Sequence, residues 1–113
     1  MDLLVDDHGT VTLVHVQAKR IDAAVAIQFK DQMRAAAEEG GQRVVLNLEQ
    51  VDFLDSSGLG AVVAAMKHLG KDRSLELAAL SPTVAKVMKL TCMDRVFTIH
   101  DSVEAALAQE SAA

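Results

Sequence analysis

This sequence of 113 residues contains little cysteine, proline or aromatic side chain. Its single cysteine, Cys92, excludes an internal disulfide, and the lack of a Cys and His cluster argues against a zinc site. The three aromatic residues are all Phe, so the core must be built from Val, Leu, Ile, Met and Ala. We expect Cys92 to be buried as a small apolar residue. Half of the residues are hydrophobic, which is too many for a disordered chain.

Basic residues are outnumbered by acidic ones, and the net charge is −5. Nucleic-acid binding needs a basic patch, which the short pair Lys19-Arg20 does not supply. An acidic surface also argues against anionic membranes, and the longest apolar run, residues 61–66, is far short of a membrane span. The acidic start of the chain lacks the basic region of a signal peptide. We therefore expect a cytoplasmic protein with no nucleic-acid or membrane partner.

The hydrophobic pattern predicts a single α/β domain over residues 1–113, with the element order ββαβαβαβα. Residues 3–16 are typical of a hairpin that turns near Gly9. From residue 43 onward strands alternate with helices, which requires parallel strands joined by right-handed crossovers. The fold class is thus α/β, with one mixed sheet that begins with an N-terminal hairpin. We expect residues 110–113 to be frayed.

Several residues are expected to begin or end the helices. Asp22 is a good N-cap for the first helix, and Gly40-Gly41 would end it in a left-handed conformation. Ser81-Pro82 is a strong start signal for the third helix. Asp101 and Glu104 have the spacing of a capping box at the last helix.

The most informative segment joins a strand to the second helix and reads Phe53-Leu54-Asp55-Ser56-Ser57-Gly58-Leu59-Gly60. A helix N-terminus carries unpaired N–H groups and a partial positive charge, which suits a phosphate. Ser56 has two interpretations that are compatible: it is the N-cap of the helix, or it is a phosphoacceptor. Phosphorylation would add roughly −1.5 to −2 charges and change the surface field without unfolding the domain.

Other residues of this region are candidates for a partner-binding surface. Gly58 and Gly60 are either plain turn glycines or residues that let a partner or nucleotide come close. If the first helix begins beside the second, the Asp22 carboxylate is expected near Ser56. Asn47 is similarly expected there, near the end of a central strand, because ligands bind at the carboxyl ends of strands in α/β sheets. The candidate partner-binding residues are Asp22, Asn47, Asp55, Ser56, Ser57, Gly58, Leu59 and Gly60.

Catalysis is not indicated by the residues around Ser56. A serine hydrolase would carry Gly-x-Ser-x-Gly, but Leu54 stands where the first Gly belongs. The four histidines show no spacing that marks a general base, and the methionines are typical of core fillers. We expect no enzyme activity, catalytic residue, metal or cofactor.

The chain resembles the STAS domain family over essentially its whole length, and three segments carry the resemblance. They are residues 44–60 with the Asp-Ser-Ser-Gly turn, residues 80–84 with Ser-Pro, and residues 95–107 with the closing strand and Glu-Ala-Leu helix. The chain departs from the family at Lys19-Arg20, where Gly-Glu is frequent, and at Cys92-Met93, where Gly-Leu is usual. The first departure bears on partner recognition and the second on how the third helix stops.

The resemblance implies the STAS fold and the function of an anti-sigma factor antagonist. Unphosphorylated, such a protein binds an anti-sigma factor that is also a serine kinase of the histidine-kinase-like ATPase type, and a sigma factor is released. Phosphorylation of the switch serine, here Ser56, ends the complex, and a PP2C-type phosphatase restores it. The alternatives are a STAS scaffold or accessory subunit without phosphorylation, or a nucleotide-binding module that uses the turn and Asp22.

Overall fold

A computed structural model describes residues 2–38 and 40–108. They form seven strands: β1 (Asp2–Asp7), β2 (Val11–Gln17), β3 (Arg20–Ile21), β4 (Arg43–Asn47), β5 (Phe53–Leu54), β6 (Ser74–Ala78) and β7 (Thr98–His100). Four α-helices accompany them: α1 (Ala26–Glu38), α2 (Ser56–Leu69), α3 (Pro82–Leu90) and α4 (Val103–Ala108). A short 3-10 turn, Met93–Arg95, precedes β7. The expected fraying of residues 110–113 lies outside the described residues.

Five strands make one mixed sheet in the order β1-β2-β4-β6-β7. β1 and β2 are an antiparallel hairpin, with Gly9 in the turn at φ 81°, and the other three pairs are parallel. The predicted α/β fold with an N-terminal hairpin is therefore confirmed. β3 and β5 form a separate parallel pair of two residues each, which the sequence did not predict.

The sheet is covered on both faces, but unequally. The larger hydrophobic cluster joins one face to α1, α2 and α3 through residues such as Phe29, Val62 and Met88. A smaller cluster on the other face joins β2, β4 and β6 to Ala106 of α4. Every residue of β4 is buried, as a strand covered on both faces requires.

Two expectations about α1 are wrong. The helix begins at Ala26, and Asp22 instead accepts a hydrogen bond from the N–H of Ala24 (3.1 Å), which closes a turn before the helix. Gly40 and Gly41 do not adopt a left-handed conformation. They are glycines because the chain at the start of β2 is close: a Cβ at position 40 would meet the hydroxyl of Thr12, and a Cβ at position 41 would overlap the carbonyl group of Thr10, the residue before β2.

The other helix ends follow the predictions more closely. Ser81 caps α3, accepting from the N–H of Val84 (3.3 Å), and Pro82 is its first residue. Gly70 ends α2 at φ 76°. The cap of α4 is Ser102 rather than Asp101, because the Ser102 hydroxyl accepts from the N–H of Ala105 (3.0 Å).

Cys92 is exposed, so the expectation of a buried thiol is wrong. It follows α3 in a left-handed conformation with φ 60°. Because this conformation puts the Cβ of an ordinary residue too close to the backbone, glycine is the residue that suits it. The departure from the usual Gly at this position therefore carries a local conformational cost.

Candidate functional site

The small β3–β5 pair holds the chain after β2 against the chain that leads into α2. Ile21 pairs with Leu54, and the N–H groups of Asp52 and Phe53 both donate to the carbonyl oxygen of Lys19 (2.7 and 3.2 Å). The N–H of Asp55 reaches the carbonyl oxygen of Ile21 (3.4 Å). The loop before α1 and the first turn of α2 are thus joined into one surface.

Asp55, and not Ser56, is the N-cap of α2. One oxygen of its carboxylate accepts from the N–H of Gly58 (2.8 Å) and the other from the N–H of Ala23 (3.2 Å). The capping interpretation of Ser56 is therefore wrong. Ser56 is the first residue of the helix and Ser57 the second, and both side chains are exposed. Among the described residues, no group forms a hydrogen bond with the Ser56 hydroxyl.

The two glycines of the turn differ in their surroundings. Gly58 is buried, and a Cβ there would overlap the carbonyl oxygen of Ile21 and lie 2.9 Å from the Leu54 side chain. The space is filled by the chain itself, so Gly58 does not open a route for a partner or nucleotide. Gly60 is exposed, with nothing within 4 Å of a Cβ built on it. Leu59 is partly buried and packs against the main core.

Asp22 precedes Ala23, whose N–H bonds Asp55, and it is accompanied by two residues outside the predicted site. The guanidinium of Arg20 lies 3.2 Å from a carboxylate oxygen of Asp22 and 4.4 Å above the ring of Phe53. Phe53 is 38% exposed. The sequence did contain a signal for Phe53. An aromatic ring beside a polar turn is unusual in a chain with only three aromatic residues.

Asn47 lies apart from this surface. Its side chain is buried and points to the opposite face of the sheet, where its Nδ2 is 2.8 Å from Nδ1 of His15. Its Oδ1 accepts from the N–H of Glu49 (3.1 Å). The other ring nitrogen of His15 is 3.0 Å from a carboxylate oxygen of Asp6. Asn47 therefore orders the end of β4, and its amide is not part of the surface around Ser56.

A buried ionic network on the α4 face was not predicted. Arg43 donates to both carboxylate oxygens of Glu76 (2.8 and 2.7 Å) and to the carbonyl oxygen of Ala106 (3.0 Å). Nε2 of His100 and the hydroxyl of Ser74 also bond Glu76 (2.7 and 3.0 Å). Burial alone would raise the pKa of Glu76, but these hydrogen bonds and the charge of Arg43 together lower it from 4.5 to about 2.

The described residues offer neither a metal site nor a membrane-spanning helix. They contain no group of three or more His, Cys, Asp or Glu side chains that could hold a metal ion. Within residues 2–38 and 40–108, every helix falls short of the length and apolarity that crossing a membrane requires.

Comparison with known proteins gives consistent results. Residues 2–106 match the STAS domain family. A protein of Bordetella bronchiseptica assigned as an anti-sigma factor antagonist, BtrV, is 33% identical over 89 residues, which cover 78% of this chain and 77% of BtrV. The crystal structure of an anti-sigma factor antagonist from Mycobacterium paratuberculosis superimposes with a TM-score of 0.83 at 29% identity, covering 94% of this chain and 90% of that one.

A more distant structure shares the fold alone. The anti-sigma factor antagonist SpoIIAA of Bacillus, in its unphosphorylated form, has a TM-score of 0.74 at 22% identity and covers 94% of this chain and 93% of its own. The match to the family extends over nearly every described residue, including β3, β5 and the turn at Ser56. This chain therefore belongs to the STAS domain family and is similar to its anti-sigma factor antagonists.

Proposed function

We propose that this protein is an anti-sigma factor antagonist switched by phosphorylation of Ser56. In this proposal the unphosphorylated form binds an anti-sigma factor that is also a serine kinase of the histidine-kinase-like ATPase type, so that a sigma factor is released. Phosphate on Ser56 ends the complex, and a PP2C-type phosphatase restores it. The observation that carries the proposal is the exposed Ser56 hydroxyl, which no described residue bonds.

The N-terminus of α2 could hold a phosphate on Ser56, because the helix does not need the serine side chain as its cap. Asp55 caps α2 through its carboxylate, so modification of the neighbouring hydroxyl removes no cap. The partial positive charge of a helix N-terminus favours a dianion there. The neighbouring carboxylate of Asp55 would repel the phosphate. The added charge of roughly −1.5 to −2 would therefore act mainly by changing the electrostatic field of the surface.

The surface around Ser56 has features that a protein partner can bind. Phe53 presents part of its ring beneath Arg20 and is 38% exposed. Gly60 leaves the backbone of α2 uncovered on the same side of the turn. Arginine and aromatic residues are frequent anchors of protein interfaces. A partner seated on this surface would meet the charge of a phosphate at Ser56 directly.

Related proteins provide further support. BtrV and the Mycobacterium paratuberculosis protein carry the description of anti-sigma factor antagonist. SpoIIAA has also been solved in a phosphorylated form, so the fold holds a phosphate in that protein. The net charge of −5 and the exposed single cysteine are compatible with a regulator in the reducing cytoplasm.

The test is phosphorylation of the purified chain by an anti-sigma factor/serine kinase with ATP, with the site mapped by mass spectrometry. We expect one phosphate, on Ser56. Ser57→Ala is the matched control, because Ser57 is the adjacent exposed hydroxyl on the same helix turn, and it should leave phosphorylation intact. Ser56→Ala should abolish phosphorylation and keep partner binding, and Ser56→Asp should weaken binding at least tenfold, about 1.4 kcal/mol.

Three results would contradict the proposal. Phosphate on Ser57 or on another residue would remove Ser56 as the switch. Loss of the complex in Ser56→Ala would make the hydroxyl a contact of the interface rather than a switch. Partner binding that is unaffected by Ser56→Asp, in a protein free of phosphate in its native cell, would favour a constitutive scaffold or accessory subunit.

A further inference from the structure

A groove along β1 is independent of the surface around Ser56. β1 is an edge strand, since among the described residues it pairs only with β2. Two adjoining depressions, open to solvent and of about 420 and 320 Å³, follow it between β1 and the second half of α1. Both are lined by Val5 and by Ala35 and Ala36 of α1. We call this surface the β1 groove: Asp2, Leu3, Val5, Asp7, Thr12, Gln32, Ala35, Ala36 and Gly40.

The β1 groove exists because small side chains on α1 lie opposite the strand. Leu3 and Val5 pair with Val16 and Val14, whose side chains are in the main core, so they face α1 rather than α4. Ala35 and Ala36 are too short to cover them, and Val5 stays 43% exposed. Alternate residues of an edge strand also direct their N–H and C=O groups outward, ready to pair with another strand.

The charges of β1 argue against a second copy of this chain as the occupant. If two β1 strands paired antiparallel about their centre, Asp2 of each strand would lie opposite Asp7 of the other. Like charges directly opposite each other in a sheet are destabilising. Acidic residues on an edge strand are a known means of preventing self-pairing. The same charges favour a partner with basic residues.

We propose that the β1 groove binds an extended segment of another protein that adds as a strand to β1 and carries basic residues at its two ends. Asp2 and Asp7 are five residues apart, about 17 Å along a strand. Apolar side chains at alternate positions of the segment would lie over Leu3 and Val5, against the two alanines of α1. Strand addition of this kind takes affinity from backbone hydrogen bonds and specificity from alternate side chains.

The β1 groove lies well away from Ser56. The turn at Ala23 that touches Asp55 precedes α1, whereas Ala36 is ten residues beyond the start of the helix, about 15 Å along its axis. Binding at the groove and phosphorylation at Ser56 are therefore separate properties of the domain, and either can fail in experiment without the other.

The probe is the capped hexapeptide Lys-Val-Thr-Val-Thr-Lys, which in parallel alignment with β1 places a lysine beside Asp2 and Asp7 and the two valines beside Leu3 and Val5. We expect it to shift the amide NMR resonances of β1, Ala35 and Ala36 in the full chain, with a Kd of about 1 mM or tighter. Glu-Val-Thr-Val-Thr-Glu, which differs only in charge, should leave these resonances unchanged.

Two substitutions provide a matched pair on neighbouring residues. Val5→Lys adds a positive charge inside the β1 groove and should weaken binding of the basic peptide at least about fivefold. Leu4→Lys adds the same charge at a residue of similar exposure, 49%, on the opposite face of the strand, and should change binding less than about twofold. Circular dichroism of both variants establishes that the fold is retained.

Three results would overturn the proposal. The first is the absence of shifts in β1 at millimolar basic peptide. The second is an equal response to the acidic peptide, or an equal effect of the two lysine substitutions. The third is a shift of the β1 resonances with protein concentration alone, which would identify a second copy as the occupant.

Discussion

Gly58 and Gly60 stand two residues apart in α2, yet the structure requires glycine at only one of them. An alanine at position 58 would drive its Cβ into the carbonyl oxygen of Ile21, a backbone atom that cannot rotate away. The first turn of α2 and strand β3 must then separate. At position 60 nothing lies within 4 Å of an added Cβ, and the residue is inside a helix.

The two substitutions should therefore change stability in opposite directions. Overpacking costs about 1–3 kcal/mol, and separation would also break the bonds from Asp55 to Ile21 and Ala23, each worth about 1 kcal/mol. Part of this is offset because alanine is a better helix former by up to about 1 kcal/mol. Gly58→Ala should therefore be destabilising by about 2–4 kcal/mol, and Gly60→Ala stabilising by about 0.5–1 kcal/mol.

Urea unfolding followed by circular dichroism measures both effects. With a slope of about 1.5 kcal/mol per M of urea, the two midpoints should differ by about 2 M or more, with the unmodified protein between them. Equal midpoints, or a Gly60→Ala protein less stable than the original, would refute the packing account of the turn. Gly60→Ala further tests the proposed surface, because it adds only a methyl group where a partner would sit.

Two other sites give predictions about stability. Glu76→Gln should lower the free energy of unfolding by about 3–5 kcal/mol at neutral pH, because the ion pair between buried Arg43 and Glu76 would be lost. In the unmodified protein, the lowered pKa of Glu76 adds about 3 kcal/mol to the free energy of unfolding above pH 4.5, and this contribution is lost as the pH falls toward 2. The urea midpoint should therefore decrease over that range. A midpoint independent of pH there would contradict this. Cys92→Gly should raise the free energy of unfolding by about 0.5–1 kcal/mol, because the left-handed φ of 60° suits glycine. The measurement is the melting temperature, and an unchanged or lower value would count against this prediction.

The sheet and helices were predictable because the hydrophobic pattern is regular. The apolar run Val44-Val45-Leu46 has no polar interruption between Arg43 and Asn47, and it became the centre of the fully buried strand β4. Residues 11–17 and 74–78 similarly became strands that flank it. The strands β3 and β5 escaped prediction because two residues are too few to show a period. They nevertheless determine how the loop before α1 meets the turn at Ser56.

Caps were harder to place, because neighbouring residues qualify equally well by type. Asp55 and Ser56 are both favoured N-caps, as are Asp101 and Ser102. Tertiary contacts decide between Asp55 and Ser56, since only the Asp55 carboxylate also reaches the N–H of Ala23. Gly40-Gly41 has the sequence of a left-handed helix end, but the proximity of β2 is what requires glycine there.

The ionic network shows a different limit of sequence reasoning. Arg43, Glu76 and His100 are far apart in sequence, and only the register of β4, β6 and β7 brings them together. The available signal was a single charge within an apolar strand, Glu76 between Leu75 and Leu77. A buried charge needs a partner, so such a residue predicts that one exists but not which one.

The position of the cap determines what a phosphate on Ser56 would do. If Ser56 were the N-cap, modifying its hydroxyl would remove a bond worth about 1 kcal/mol and loosen the helix end. Because Asp55 caps α2 instead, the serine hydroxyl contributes no bond to the described structure. Phosphorylation would then leave the helix and the core intact and change the charge of one surface. A switch that must be reversed many times requires this property, since a domain that unfolded at each cycle would be exposed to aggregation and proteolysis.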